Sequence, residues 1–173
     1  MKTIISEKLA RIIKNKKKLE EKLNIKITNR GKEVQIDGNP ENEFTATQII
    51  DALNFGFPFT AAISIKEEDN VLEILPIKEH TIKKDLERIR GRLIGKGGKT
   101  LQTLSKLTEC YLELKDNEIG IIGQPENIEH ATEAIIGIIR GAKHGNVYKG
   151  LEKKPKEMIY DLGLKEEKNS NNK

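Results

Sequence analysis

The sequence predicts an α+β protein built from two tandem repeats, each with elements ordered β-α-α-β-β-α, the first of them degenerate. Three observations carry this. Residues 71–141 read as one complete set of those elements around a glycine-rich loop, Gly95-Lys96-Gly97-Gly98. The first half repeats the order imperfectly. Asn39-Pro40-Glu41-Asn42 and Gln124-Pro125-Glu126-Asn127 each fall between a strand and a helix, so both halves end in the same way. We expect one domain over 1–70, a second over 71–155, and a C-terminal extension over 156–173 that is disordered at its end.

In the first half, Leu9, Ile12, Ile13, Leu19 and Leu23 suit an amphipathic helix. Ile25-Lys26-Ile27 and Glu33-Val34-Gln35-Ile36 read as strands around the turn Asn29-Arg30-Gly31. A helix through Ile49, Ile50 and Leu53 follows. Lys14-Asn15-Lys16-Lys17-Lys18 stands where the second half has its glycines, and it contains none. Either that loop is shortened, or one unbroken helix spans 7–23; the second reading is favoured. Phe55-Gly56-Phe57-Pro58-Phe59 holds three of the four phenylalanines, which suits a helix end packed on the neighbouring domain or a partner-binding patch.

In the second half, Val71-Leu72-Glu73-Ile74-Leu75 reads as a strand. Ile82, Leu86, Ile89 and Leu93 recur at helical spacing, predicting a helix over 81–94. After the glycine loop, Leu101, Leu104 and Leu107 predict a second helix over 100–107. Tyr111-Leu112-Glu113-Leu114 and residues 118–122 read as strands joined by Lys115-Asp116-Asn117. Ile128, Ala131, Ile135, Ile138 and Ile139 mark the buried stripe of a last helix, and Gly141 ends it.

Composition narrows the function. Residues 1–80 carry 13 Lys/Arg and 13 Asp/Glu, so the net charge of +4 comes wholly from the second half. Within 83–106, eight basic residues stand against Asp85 and Glu87, a net +6. Such a cluster raises local affinity for polyanions, although a charge run alone is more often a solvated face. The single cysteine, Cys110, excludes an intrachain disulfide framework and a Cys-based zinc site. The histidines His80, His130 and His144 are far apart, and neither metal nor cofactor is expected. No run approaches the roughly 18 apolar residues of a membrane span. Met1-Lys2-Thr3-Ile4-Ile5-Ser6-Glu7 meets charge too early for a signal peptide, so a cytoplasmic protein without membrane partners is expected.

The glycine loop carries the chemistry. Glycines at both ends of four residues let backbone approach a ligand closely. The helix that follows begins at the loop, and its N-terminal end attracts anions, phosphate included. Lys96 and Lys99 add charge there. A nucleotide-binding P-loop matches only Gly98-Lys99-Thr100: the position five before Gly98 is Leu93 rather than glycine, and a helix rather than a strand leads in. Neither a metal-binding acidic motif nor a Ser/His/Asp arrangement supports catalysis, and no enzyme activity is expected.

The order β-α-GxxG-α-β-β-α, with Ile94 leading into the loop and Arg92, Lys96 and Lys99 flanking it, resembles the type I KH domain. In KH domains the GxxG loop clamps the backbone of about four nucleotides of single-stranded RNA. The resemblance implies RNA-binding roles for Gly95, Lys96, Gly97, Gly98, Lys99 and Arg92, over an aliphatic floor of Ile94, Leu101 and Leu112. Arg90 and His144 are weaker candidates. An aliphatic groove suits a chain with only 4% aromatic residues, because stacking platforms need more. The two repeats, Arg-Leu-Ile-Gly-Lys-Gly-Gly-Lys-Thr, and Gly141-Ala142-Lys143-His144-Gly145-Asn146-Val147-Tyr148 together look like the archaeal form of the Dim-two, or partner-of-Nob-one, family. The likeness covers most of residues 5–155. It implies action in small ribosomal subunit assembly and rRNA processing, near the 3′ end of the small-subunit rRNA. It also implies two protein partners: the endonuclease that trims that end and the alpha subunit of translation initiation factor two. Other KH adaptors, exosome-type or messenger-RNA-binding, are the alternative.

Three residues invite blander readings. His144 suits an RNA contact or a local structural role equally. Tyr148 suits packing on a neighbouring element. Cys110 opens a strand and points into the core.

Overall fold

The computed structural model describes residues 1–153. The first half runs β1 (Lys2–Ile5), α1 (Leu9–Leu23), β2 (Lys26–Arg30), β3 (Glu33–Asp37), α2 (Pro40–Phe55) and α3 (Phe59–Glu67). The second runs β4 (Val71–Pro76), a 3-10 turn (Ile77–His80), α4 (Leu86–Ile94), the glycine loop, α5 (Lys99–Thr108), β5 (Tyr111–Lys115), β6 (Glu118–Gly123), α6 (Pro125–Ile139) and α7 (His144–Lys153). Each half holds one antiparallel three-stranded sheet, ordered β1-β3-β2 and β4-β6-β5. In both, the strand last in sequence lies in the middle, which gives the duplication a topological basis.

Several elements depart from the sequence reading. The opening strand that the repeat order calls for had no residues assigned to it; it is β1, four residues long, with only Ile4 half-buried. The first half therefore runs β-α-β-β-α-α rather than β-α-α-β-β-α. Its first helix is unbroken, as favoured, with Ile12, Leu19 and Leu23 buried. The helix α3 was also missed. It buries Ala61 through Ile65 consecutively, so it has no polar face to generate a helical period. The helix before the glycine loop starts at Leu86, not at 81. The Asp85 side chain accepts a bond from the Arg88 N–H at 3.1 Å and caps it, leaving Ile82 fully exposed. Leu107 is only half-buried; Thr100, Leu104 and Thr108 are the buried residues of α5. The expected domain end at 155 and the extension over 156–173 lie outside the described residues.

The two repeats share one wall. The strand β6 is buried on both faces, and reads accordingly as a nearly continuous apolar run. Ile119 and Ile121 face the core formed with α4, α5 and α6, while Ile122 joins the core of the first half. Gly120 faces the first half too. A Cβ there would stand 2.7 Å from the Phe57 ring and 2.8 Å from Phe55. The phenylalanine run is thus a helix end packed on the neighbouring sheet, with Phe55 and Phe57 stacked at 5.7 Å between centroids. Polar ties reinforce the seam. Across it the Gln124 amide donates to the Glu68 carbonyl and to Asn70 Oδ1, while inside the first half the Arg11 guanidinium donates to the Gly56 and Phe57 carbonyls and fixes the phenylalanine run.

Candidate nucleic-acid interface

The loop 95–98 takes its shape from three glycines with positive φ: 73° at Gly95, 63° at Gly97 and 77° at Gly98. Their reasons differ. Gly95 pairs φ 73° with ψ 175°, a region open essentially to glycine alone. A Cβ on it would fall 2.1 Å from Thr100 Oγ1 and 2.8 Å from the Thr100 nitrogen. Gly95 is therefore locked under the first turn of α5. Gly97 and Gly98 face open space, with nothing within 4 Å of an added Cβ. Gly98 donates its N–H to the Gly95 carbonyl at 3.2 Å, which tightens the turn. The result is a bare backbone ledge at the N-terminal end of a ten-residue helix.

The setting of Thr100 does not suit a P-loop. A P-loop needs that hydroxyl turned to a metal. Here Thr100 is buried and pressed beneath Gly95.

The charges around the ledge have different uses. Lys96 and Lys99 are exposed, on the loop and at the start of α5. Among the described residues no ion pair engages Lys83, Lys84, Arg88, Lys96 or Lys99. Arg92 differs. Its guanidinium donates to the Ile138 and Ala142 carbonyls, both at 2.6 Å, at the C-terminal end of α6. The Ile138 carbonyl also accepts the Gly141 N–H at 3.1 Å, and a cation beside this last turn complements the helix dipole. Arg92 thus clamps α4 to α6. Sequence reasoning grouped it with the lysines because spacing along α4 does not show what faces it. Arg90 is half-buried, and its Nε is buried without a hydrogen-bond partner among the described residues.

His144 opens α7, a helix absent from the elements predicted from sequence. Its Nε2 lies 2.8 Å from the Arg92 carbonyl, and its ring stands 6.3 Å from Tyr148. The geometry gives His144 a structural role beside the clamp. Tyr148 packs on the second core, as read. Cys110 is buried, its Sγ 2.6 Å from where a Gly123 Cβ would stand. Burial pushes its thiol up to about 11, so it is a poor nucleophile.

The aliphatic candidates sit where strand and helices meet. Ile94 ends α4, Leu101 lies in the first turn of α5, and Leu112 lies on the edge strand β5 opposite Ile121. All three are half-buried, and Leu101 and Leu112 pack on the second core. The helix α5 lies against β5. Loop, helix and strand edge therefore belong to one side of the second half.

Comparison with known proteins agrees with this architecture. Residues 71–156 match the family model for the second PNO1 KH domain, described as a eukaryotic type KH-domain (KH-domain type I). A KH domain-containing protein of Methanocaldococcus jannaschii is 30% identical over 150 residues, 80% of this chain and 64% of that protein. A pre-rRNA-processing protein pno1 of Emericella nidulans is 31% identical over 108 residues, 60% of this chain and 42% of that protein. The chain spans less than two thirds of the length of the curated relatives it matches. The crystal structure of Dim2p from Pyrococcus horikoshii superposes with a TM-score of 0.80 at 30% identity, covering 88% of this chain and 98% of that one. A chain of the a/eIF2alpha–aDim2p–rRNA complex from the same organism gives 0.78 at 30%, covering 87% and 91%.

Proposed function

This chain belongs to the Dim2/PNO1 family of KH-domain proteins, and on that premise we propose that it grips single-stranded RNA with Gly95–Gly98 and serves small ribosomal subunit assembly. The RNA is small-subunit rRNA near its 3′ end. The observation that carries the reading is the ledge itself: Gly97 and Gly98 bare and unobstructed, with exposed Lys96 and Lys99 beside them. A phosphate seated there meets backbone N–H groups, a helix N-terminus and two cations. Ile94, Leu101 and Leu112 form the apolar floor for the bases. The aDim2p–rRNA complex and the pre-rRNA-processing name of a relative support the choice of RNA.

The protein acts by holding RNA rather than by catalysis, and its place is the cytoplasm. Among the described residues no helix is long and apolar enough to cross a membrane. Its protein partners are the endonuclease that trims the rRNA 3′ end and the alpha subunit of translation initiation factor two; a relative's complex with a/eIF2alpha supports the second.

The test is Lys96→Asp with Gly97→Asp, measured against an rRNA 3′-end oligonucleotide. Aspartate tolerates positive φ better than most residues, and position 97 has space, so the fold should survive. Affinity is expected to fall by about two orders of magnitude, two phosphate contacts having turned repulsive. Binding that persists in the folded double variant rejects the clamp. Affinity of the unsubstituted protein should weaken only modestly with salt, because the slope for a single strand is about −0.7 per phosphate contacted and KH clamps contact few. Crosslinking in cells then separates the alternatives: reads without a peak at the rRNA 3′ end favour a different KH adaptor.

A further inference from the structure

We propose that the free edge of β4, with the groove beside it, docks an extended basic segment of a protein partner as a fourth strand of the second sheet. The two edges of that sheet are unlike. One, β5, lies on the side of α5 and the glycine loop. The other, β4, pairs only with β6 among the described strands, so alternate N–H and C=O groups along it point outward unpaired. Val71 and Ile74 on it are 37% and 40% exposed. The strand has six residues, a length that matches a short added strand, and ends at Pro76, which has no N–H to continue pairing.

A groove of about 500 Å³ runs between this edge and α6, lined by Val71, Glu73, Pro125, Ile128, Glu129 and Thr132 among others. Pro125, Ile128, Glu129 and Thr132 follow helical spacing, so one face of α6 forms the far wall. The groove thus offers backbone pairing, an apolar strip and charge of one sign. Its lining includes Glu73 and Glu129 and, among the described residues, no Lys or Arg. Thr132 Oγ1 is buried there without a hydrogen-bond partner among the described residues. Carboxylates repel RNA and attract a cationic chain, which assigns this edge to protein and leaves the opposite one to nucleic acid. Strand addition supplies affinity through the main chain, while alternate side chains enter the groove.

The probe is a blocked peptide of about ten residues alternating lysine and valine, followed by anisotropy and by hydrogen exchange of the full chain. The expected result is saturable binding with slowed exchange confined to 71–75. Glu73→Lys with Glu129→Lys should weaken it roughly tenfold while leaving the melting temperature and oligonucleotide binding unchanged. A glutamate–valine peptide should not bind. The proposal is overturned if 71–75 gains no protection, if the acidic peptide binds equally, if charge reversal has no effect, or if RNA itself protects 71–75. Since the readout is at β4, failure here leaves the glycine-loop reading standing.

Discussion

Each half must carry its chain from its first strand to its second across the helix layer, and the two halves do so differently. The second uses two helices, α4 and α5, with the glycine loop between them; the first uses the single helix α1. The basic run at 14–18 therefore lies along a continuous helix, where its backbone N–H groups are satisfied internally. The same charges on a helix flank offer no ledge and no free helix terminus. What separates the halves is backbone geometry rather than charge. The first half has its second packing helix elsewhere: α3 follows α2 and lies against β6 of the neighbouring sheet. One repeat thus presents a bare backbone ledge, and the other a packing surface for its neighbour.

The comparison breaks most severely at Gly95. Gly95→Ala places a methyl group into Thr100 and demands a backbone region closed to alanine, so a loss of about 3 kcal/mol or more is expected in chemical denaturation. Gly97→Ala, with open space and φ 63°, should lose only about 1 kcal/mol. Equal losses at the two positions would contradict the division of labour drawn for the loop.

Next in size is the shared wall. Gly120→Ala puts a methyl group within contact distance of both phenylalanine rings and should cost about 2 kcal/mol. Its signature is a loss of cooperativity between the halves, seen as separate melting transitions. A single unshifted transition would show that the seam tolerates the group.

Introducing GxxG spacing into α1 sharpens the contrast. Asn15→Gly with Lys18→Gly should destabilise the protein by about 2 kcal/mol, near 1 kcal/mol per glycine in a helix interior. No gain in oligonucleotide affinity is expected, because the helix has no break to shape into a ledge. A measurable gain would mean that glycine spacing alone makes the clamp.

The smallest effect concerns Glu113, which is half-buried on β5 near Gly56 of the first half. Burial raises its carboxyl above the ordinary range, and nearby Arg11 and Lys8 oppose that only in part. The folded protein therefore holds this proton more tightly than the unfolded chain does. Its contribution is greatest at acid pH and is lost as pH rises through the folded value. Glu113→Gln should make stability fall less steeply with pH across the carboxylate range, read from melting curves. An unchanged slope would place the residue in solvent.

Much of this was legible from residue order. The periods of α1 and α6, the turn at Asp116-Asn117 and the Pro-Glu-Asn helix starts each show a local rule in the sequence. So did the loop, since its glycines are needed by the backbone itself. What escaped depends on partners distant in sequence. The helix α3 is buried on every side from Ala61 to Ile65, and burial of that kind erases period. Arg92 finds its acceptors 46 and 50 residues away. The strand β1 is a strand only because β3 is there to pair with it.

The double burial of β6 bears on how the chain is made. Synthesis delivers residues 1–70 before 118–123, so Phe55 and Phe57 emerge ahead of the strand they cover. The first half then stands ready as a template on which the second closes. A second half released without it would expose Leu72, Gly120 and Ile122 together, a sticky face on the very repeat that carries the glycine loop.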